Sequence, residues 1–164
     1  MKILIMSDSH RDNEKMKLAM EAEGSFDRVI HCGDIEGGEY YLERLAGCPV
    51  HIVSGNNDFF SSLMPELEFE LSGLRFWVTH GHYYYVSMSP ERIIMEAEQR
   101  GADVVLFGHT HRPVIYRSKG LLAVNPGSIA YPRQEGRVPT YAVMELSEDG
   151  KAEVEIRYLS RRGR

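Results

Sequence analysis

The feature that most limits the fold is a short apolar run that begins almost at the N-terminus and ends abruptly. Lys2-Ile3-Leu4-Ile5-Met6 is followed at once by Ser7-Asp8-Ser9-His10. Such a run predicts a buried strand that empties into a polar loop. A strand apolar on both faces belongs in a parallel sheet covered by other layers. Ligands in such sheets bind beyond the carboxyl ends of the strands, and Asp8 and His10 fall at that position.

The same grammar returns downstream. Asp12 or Asn13 can cap a helix to about Glu23, with Gly24 as its stop. Arg28 to Cys32 predicts a second strand ending in Gly33-Asp34, and Glu39 to Leu45 a second helix. Val50 to Val53 predicts a third strand, ended by Ser54-Gly55-Asn56-Asn57-Asp58. Then the pattern changes. Glu66 to Leu71 and Arg75 to Thr79 flank Ser72-Gly73-Leu74 as a β-hairpin, and its second arm ends in His80-Gly81-His82. Ser89-Pro90-Glu91 opens a helix to about Arg100, with proline at the first helical position. Val104 to Phe107 predicts another buried strand, ended by Gly108-His109-Thr110-His111. Hairpins over Lys119-Gly120 and Glu148-Asp149-Gly150 follow, the first ending in Asn125-Pro126-Gly127-Ser128. Early alternation of helix and strand followed by hairpins predicts a mixed α/β architecture with two sheets.

Length and composition matter for what they exclude. At 164 residues the chain suits one domain, residues 1–159, ahead of a basic tail at 160–164. A 43% hydrophobic and 26% charged composition is that of a soluble globular chain rather than a disordered one. The net charge of -5 argues against a protein whose main work is gripping nucleic-acid phosphates. Cys32 and Cys48 have no CxxC spacing, so a reducing cytoplasmic setting is expected. No signal peptide or membrane-length apolar run is seen.

Five strand ends thus carry Asp8/His10, Asp34, Asn56/Asn57, His80/His82 and His109/His111. Any one of these groups could be a turn or core residue. Together they place metal-competent side chains on one edge. The donors are nitrogen and oxygen only, which suits manganese, iron, nickel, cobalt or zinc and not a thiolate-bound structural zinc or iron–sulfur site.

The motifs Asp8-x-His10, Gly33-Asp34, Gly55-Asn56-x-Asp58, His80-Gly81-His82 and Gly108-His109-Thr110-His111 resemble the signature of calcineurin-like metallophosphoesterases. Their order and spacing resemble the compact, uncapped YfcE-like phosphodiesterase branch, as does Asn125-Pro126-Gly127-Ser128. The resemblance spans residues 1 to about 158. It implies a two-sheet β-sandwich flanked by helices, in four α/β/β/α layers, with a two-metal centre at one edge. Carried over by motif, Asp8, His10, Asp34 and His111 would hold one ion, and Asp34, Asn56, His80 and His109 the other. Asp34 would be the bridge, a role that suits the two anionic oxygens of a carboxylate. Two divalent ions about 3.5–4 Å apart can acidify a bridging water and neutralise phosphoryl oxygens during in-line attack. The implied cofactors are therefore two divalent metal ions, manganese foremost, and the implied substrate is a small phosphodiester.

One position departs from the pattern. Many members have histidine directly after the asparagine ligand, placed to protonate the leaving oxygen, and here that residue is Asn57. His82 is the candidate substitute acid, or else a residue that orients a ligand or phosphate. Arg133 can reach a substrate phosphate from the loop after Asn125-Pro126-Gly127-Ser128, the alternative being a surface salt bridge. Tyr83-Tyr84-Tyr85 can wall a substrate pocket or pack between layers. His31, His51 and Cys32 are read as core residues, and Arg161-Arg162-Gly163-Arg164 as a disordered tail. Competing functions are a protein-binding scaffold like retromer's metallophosphoesterase-like subunit, which departs from this ligand set, and a nuclease. Physiological substrate and homo-oligomeric state stay open.

Overall fold

The apolar runs do become strands, and their alternate side chains build one core between two sheets and one on the outer face of each. In the computed structural model, which describes residues 1–159, the order opens with β1 (Lys2–Met6), α1 (Asn13–Glu23), β2 (Arg28–His31), α2 (Glu39–Ala46) and β3 (Val50–Ile52). The hairpin β4 (Glu66–Leu71) and β5 (Leu74–Thr79) follows, then a 3-10 turn at His82–Tyr84, α3 (Glu91–Arg100) and β6 (Val104–Leu106). Two further hairpins close the order, β7 (Pro113–Ser118) with β8 (Leu121–Pro126), and β9 (Thr140–Leu146) with β10 (Ala152–Tyr158). One five-stranded sheet runs β10-β9-β1-β2-β3 and the other β4-β5-β6-β8-β7.

Register explains the burial. β1 pairs in parallel with β2 and antiparallel with β9, so it is a central strand with both faces covered. Ile3 and Ile5 point into the core between the sheets, against Phe76, Val78, Leu106 and Val124. Leu4 and Met6 point the other way, onto Met16, Ala19 and Met20 of α1 and Leu42 of α2. In the second sheet Trp77 and Val105 pack outward on Ile93 and Ala97 of α3. The layers are therefore α/β/β/α.

Differences from the sequence reading are small and physical. β2, β3 and β6 each stop one residue early, because Cys32, Val53 and Phe107 already lead into the polar turns, although their N–H groups still bond neighbouring strands. Pro90 lies one residue outside α3, and the Ser89 hydroxyl accepts the Glu91 N–H at 3.2 Å. Asp12 caps α1 through the Lys15 N–H. The basic tail lies outside the described residues.

Candidate metal centre

At the carboxyl edge of the two sheets the backbone itself is unusual. Asp8, His10, Asp34, His109 and His111 all have positive φ, between 43° and 68°. Residues with a Cβ seldom adopt that region, and such strain collects at functional sites. Two glycines make the close approach feasible. A Cβ on Gly55 would lie 2.1 Å from Asp34 Oδ1, and one on Gly108 would lie 1.9 Å from Ser7 Oγ.

The seven candidate ligands converge. Asp8, His10 and His111 offer ligand atoms within 4.8 Å of one another, and so do Asp8, Asp34 and His80. His111 Nε2 lies 3.1 Å from Asp8 Oδ1 and 3.3 Å from His10 Nε2. Asp34 Oδ2 lies 3.8 Å from His10 Nε2 and 3.4 Å from His80 Nε2, and Asp8 Oδ1, common to both groups, lies 3.9 Å from each. Asn56 Oδ1 completes the far side, 3.0 Å from His80 Nε2 and 2.9 Å from His109 Nδ1.

Hydrogen bonds outside the cluster set the histidine tautomers. His10 Nδ1 faces Glu36 at 2.5 Å, His80 Nδ1 faces the Cys32 carbonyl at 2.8 Å, and His111 Nδ1 faces the Tyr131 carbonyl at 2.8 Å. Each acceptor draws the ring proton to Nδ1 and leaves a lone pair on Nε2, the arrangement typical of metal-ligating histidines. Lone pairs of His10 and His111 then face each other at 3.3 Å beside Asp8 Oδ1, which is buried and receives no hydrogen bond among the described residues. Such a cluster of acceptors without donors is stable around a cation and costly without one. The donor set therefore fits divalent metal ions.

Charge and burial compete at the carboxylates. Burial alone would raise Asp8, yet its contacts with His111, His80 and Ser7 lower its pKa. Asp34 is likewise held well below the usual carboxylate range, burial being outweighed by His80 and by two bonds from Asn57. Asn57 donates its backbone N–H to Asp34 Oδ1 at 2.8 Å and its side-chain amide to Oδ2 at 2.7 Å. Asn57 thus touches the carboxylate proposed as the bridge.

His82 packs at a tilt against Tyr83 and lies 5.4 Å from the His80 ring and 6.0 Å from the His109 ring, measured between centroids. Burial, with His80 and His109 nearby, lowers its pKa. Arg133 is exposed, and only its backbone N–H is tied in, to the His111 carbonyl at 2.9 Å. Its guanidinium makes no salt bridge among the described residues.

Several residues that the sequence offered only as motif members or loop neighbours hold this edge together. Asp58 accepts the backbone N–H of Asp34, Gly55 and Glu36. Ser7 bonds Asp8 Oδ2 at 2.6 Å, and Ser128 Oγ bonds the Asp8 carbonyl at 2.8 Å. Asn125 ties the Gly108 carbonyl to the Gly127 N–H, so Asn125-Pro126-Gly127-Ser128 acts as scaffold. His31 is buried between Ser9 Oγ and the Gly33 N–H, as a core residue should be, whereas His51 is half-buried, stacked on Phe69 and bonded to Arg28. Cys32 is fully buried. The three tyrosines divide: Tyr84 packs edge-on against Trp77 and bonds Glu66 and Arg100, whereas Tyr83 and Tyr85 are exposed.

Comparisons with known proteins place the chain in a family. The model of the calcineurin-like phosphoesterase superfamily domain matches residues 1–149, and the chain belongs to that family. It is 37% identical over 150 residues to a probable metallophosphoesterase of Bacillus subtilis, covering 91% of this chain and 86% of that one. A phosphodiesterase of Methanocaldococcus jannaschii is 30% identical over 145 residues, 77% of this chain and 83% of the other. Vacuolar protein sorting-associated protein 29 of Schizosaccharomyces pombe is 26% identical over 159 residues, 89% and 85% of the two chains. A predicted phosphoesterase from Streptococcus pneumoniae superposes with a TM-score of 0.77 at 28% identity, covering 95% of this chain and 97% of that one. No helix among the described residues is long and apolar enough to cross a membrane.

Proposed function

We propose that this chain is a metal-dependent phosphodiesterase that hydrolyses small phosphodiesters with water activated between two divalent ions. The observation that supports the reading is Asp34 Oδ2, which is 3.8 Å from His10 Nε2 and 3.4 Å from His80 Nε2, within reach of ligands assigned to each ion. Asp8, His10, Asp34 and His111 would hold one ion, and Asp34, Asn56, His80 and His109 the second. When bound, two such ions lower the pKa of a water and offset phosphoryl charge. Imidazole and carboxylate donors favour manganese or another first-row ion over magnesium, which prefers oxygen ligands and dehydrates reluctantly.

The chain's own residues position the rest. Glu36, Cys32 and Tyr131 fix ring orientation for His10, His80 and His111. Asn57 commits its side-chain amide to Asp34 and has no proton to release near neutral pH. The leaving oxygen therefore relies on its own acidity or on His82. Arg133, exposed and anchored by its backbone N–H to the His111 carbonyl, would meet the substrate phosphate.

Chelator-treated protein should fail to hydrolyse bis(p-nitrophenyl) phosphate, and manganese should restore turnover better than magnesium. Absence of both metal uptake and metal-stimulated turnover would favour a protein-binding scaffold, the reading that similarity to vacuolar protein sorting-associated protein 29 keeps in play. A single-strand cleavage assay separates the nuclease reading.

A further inference from the structure

A cavity of about 570 Å³ opens directly beside the candidate centre. Its inner wall includes Asn57, which holds Asp34, and Glu36, which holds His10. Its outer wall includes Phe59 and Phe60, both strongly exposed and packed into none of the hydrophobic cores among the described residues. The segment that delivers Asn56 to the centre thus delivers two aromatic faces to water immediately afterwards.

Across the cavity, α2 supplies Glu39 and Glu43. Residues four apart share one face of a helix, so the two carboxylates line the space together. Arg11 is the one cationic residue lining it among the described residues, and its Nε lies 3.6 Å from Glu36. A second phosphate would meet two carboxylates and a cation already engaged. A flat heterocycle with N–H donors would meet aromatic faces and hydrogen-bond acceptors. The volume falls within the range of small-ligand pockets.

We propose that this cavity is a base-binding subsite, taking the amino-bearing nucleobase of a nucleotide diester whose phosphate lies at the centre. The proposal rests on the phosphodiesterase reading above. The ring stacks on Phe59 and Phe60, and the exocyclic amino group donates to Glu39 and Glu43. Specificity then comes from the group next to the phosphate, and the ions themselves contribute none.

Titration calorimetry on the manganese-loaded chain tests this with three probes: AMP, ribose 5-phosphate and N6,N6-dimethyl-AMP. Base stacking on aromatic side chains predicts that AMP binds at least about tenfold more tightly than ribose 5-phosphate. Phe59→Ala/Phe60→Ala should bring the two to parity, with the melting temperature kept because both side chains are exposed. Dimethylation removes the donors and keeps the ring, so it should weaken binding in the wild type but not in Glu39→Ala/Glu43→Ala, which lacks the acceptors. Equal affinities for AMP and ribose 5-phosphate in the wild type, or a preference that survives loss of both phenylalanines, would overturn the subsite. Hydrolysis of bis(p-nitrophenyl) phosphate, measured alongside, separates the two readings. Turnover without base preference removes the subsite alone, and base preference without turnover removes the catalytic reading alone.

Discussion

Replacing Asp58 separates the scaffold of the centre from its ligands. The carboxylate accepts the N–H of Asp34 at 2.8 Å and of Gly55 at 2.7 Å through Oδ2, and that of Glu36 at 2.6 Å through Oδ1. It is only 9% exposed. A hydrogen bond to a charged group contributes roughly 1.5–3 kcal/mol, and a buried donor left alone costs roughly 1–3 kcal/mol. Asp58→Ala removes all three bonds, so a loss of about 4–6 kcal/mol is expected, a large part of the total stability of a domain. Asp58→Asn can keep an oxygen toward Asp34 and Gly55 but turns an amide N–H₂ toward the Glu36 donor, for a loss of about 2–3 kcal/mol. Urea unfolding in the presence of a chelator, followed by Trp77 fluorescence and far-UV circular dichroism, measures both. Manganese affinity should also fall in Asp58→Asn, because the amide it releases belongs to Glu36, the residue that orients His10. The reasoning fails if Asp58→Ala stays within about 1 kcal/mol of wild type, the range of an ordinary single substitution, or if Asn costs more than Ala.

Gly108→Ala should reduce diester turnover on the order of a hundredfold at saturating manganese, as displaced catalytic groups do, because the new Cβ would meet Ser7 Oγ at 1.9 Å and Asp8 Oδ2 at 2.7 Å; an unchanged kcat would refute the close approach. Burial holds His31 down to about 4, against the opposing pull of Asp8 and Asp58, so it stays neutral when folded and gains a proton on unfolding below the ordinary value of 6.5. The stability contributed by His31 is therefore present above about pH 6.5 and lost as pH falls toward 4, by up to about 1.4 kcal/mol per pH unit. Metal-free unfolding curves should show a flatter pH slope for His31→Gln than for wild type, and identical slopes would exclude the residue. With Asn57 unable to donate a proton, aryl diesters should outpace alkyl ones by roughly 10²–10⁴-fold in kcat/KM. Asn57→His should narrow that ratio, and an unchanged ratio with metal bound would place the donor elsewhere, His82 being the first residue to replace.

What the sequence discloses is local, and what it hides is long-range. β1 could be read because Ile3, Leu4, Ile5 and Met6 are all apolar and a strand between layers needs both faces so. The ligand set could be read because each donor stands directly after such a run. Asp58, by contrast, could be read only as a member of the Gly55-Asn56-x-Asp58 motif, and its three-amide role depends on Asp34 and Glu36, more than twenty residues away in the chain. Glu36 gives no hint that it faces His10, and Ser128 none that it holds the Asp8 carbonyl 120 residues upstream. Asn57 was legible as a missing acid, but its bonds to Asp34 required coordinates. The tyrosine run shows the same limit. Composition cannot tell that Tyr84 alone turns inward, because Trp77 and Arg100, which receive it, come from β5 and α3.

The most direct test of a centre bridged by Asp34 is metal stoichiometry. Chelated protein is reloaded with manganese, freed of excess ion and assayed by elemental analysis, for wild type and Asp34→Asn in parallel. A bridged centre predicts two ions per chain in the wild type and fewer than one in the variant, because the shared carboxylate serves both. One ion or none in the wild type, or two retained in Asp34→Asn, would contradict it.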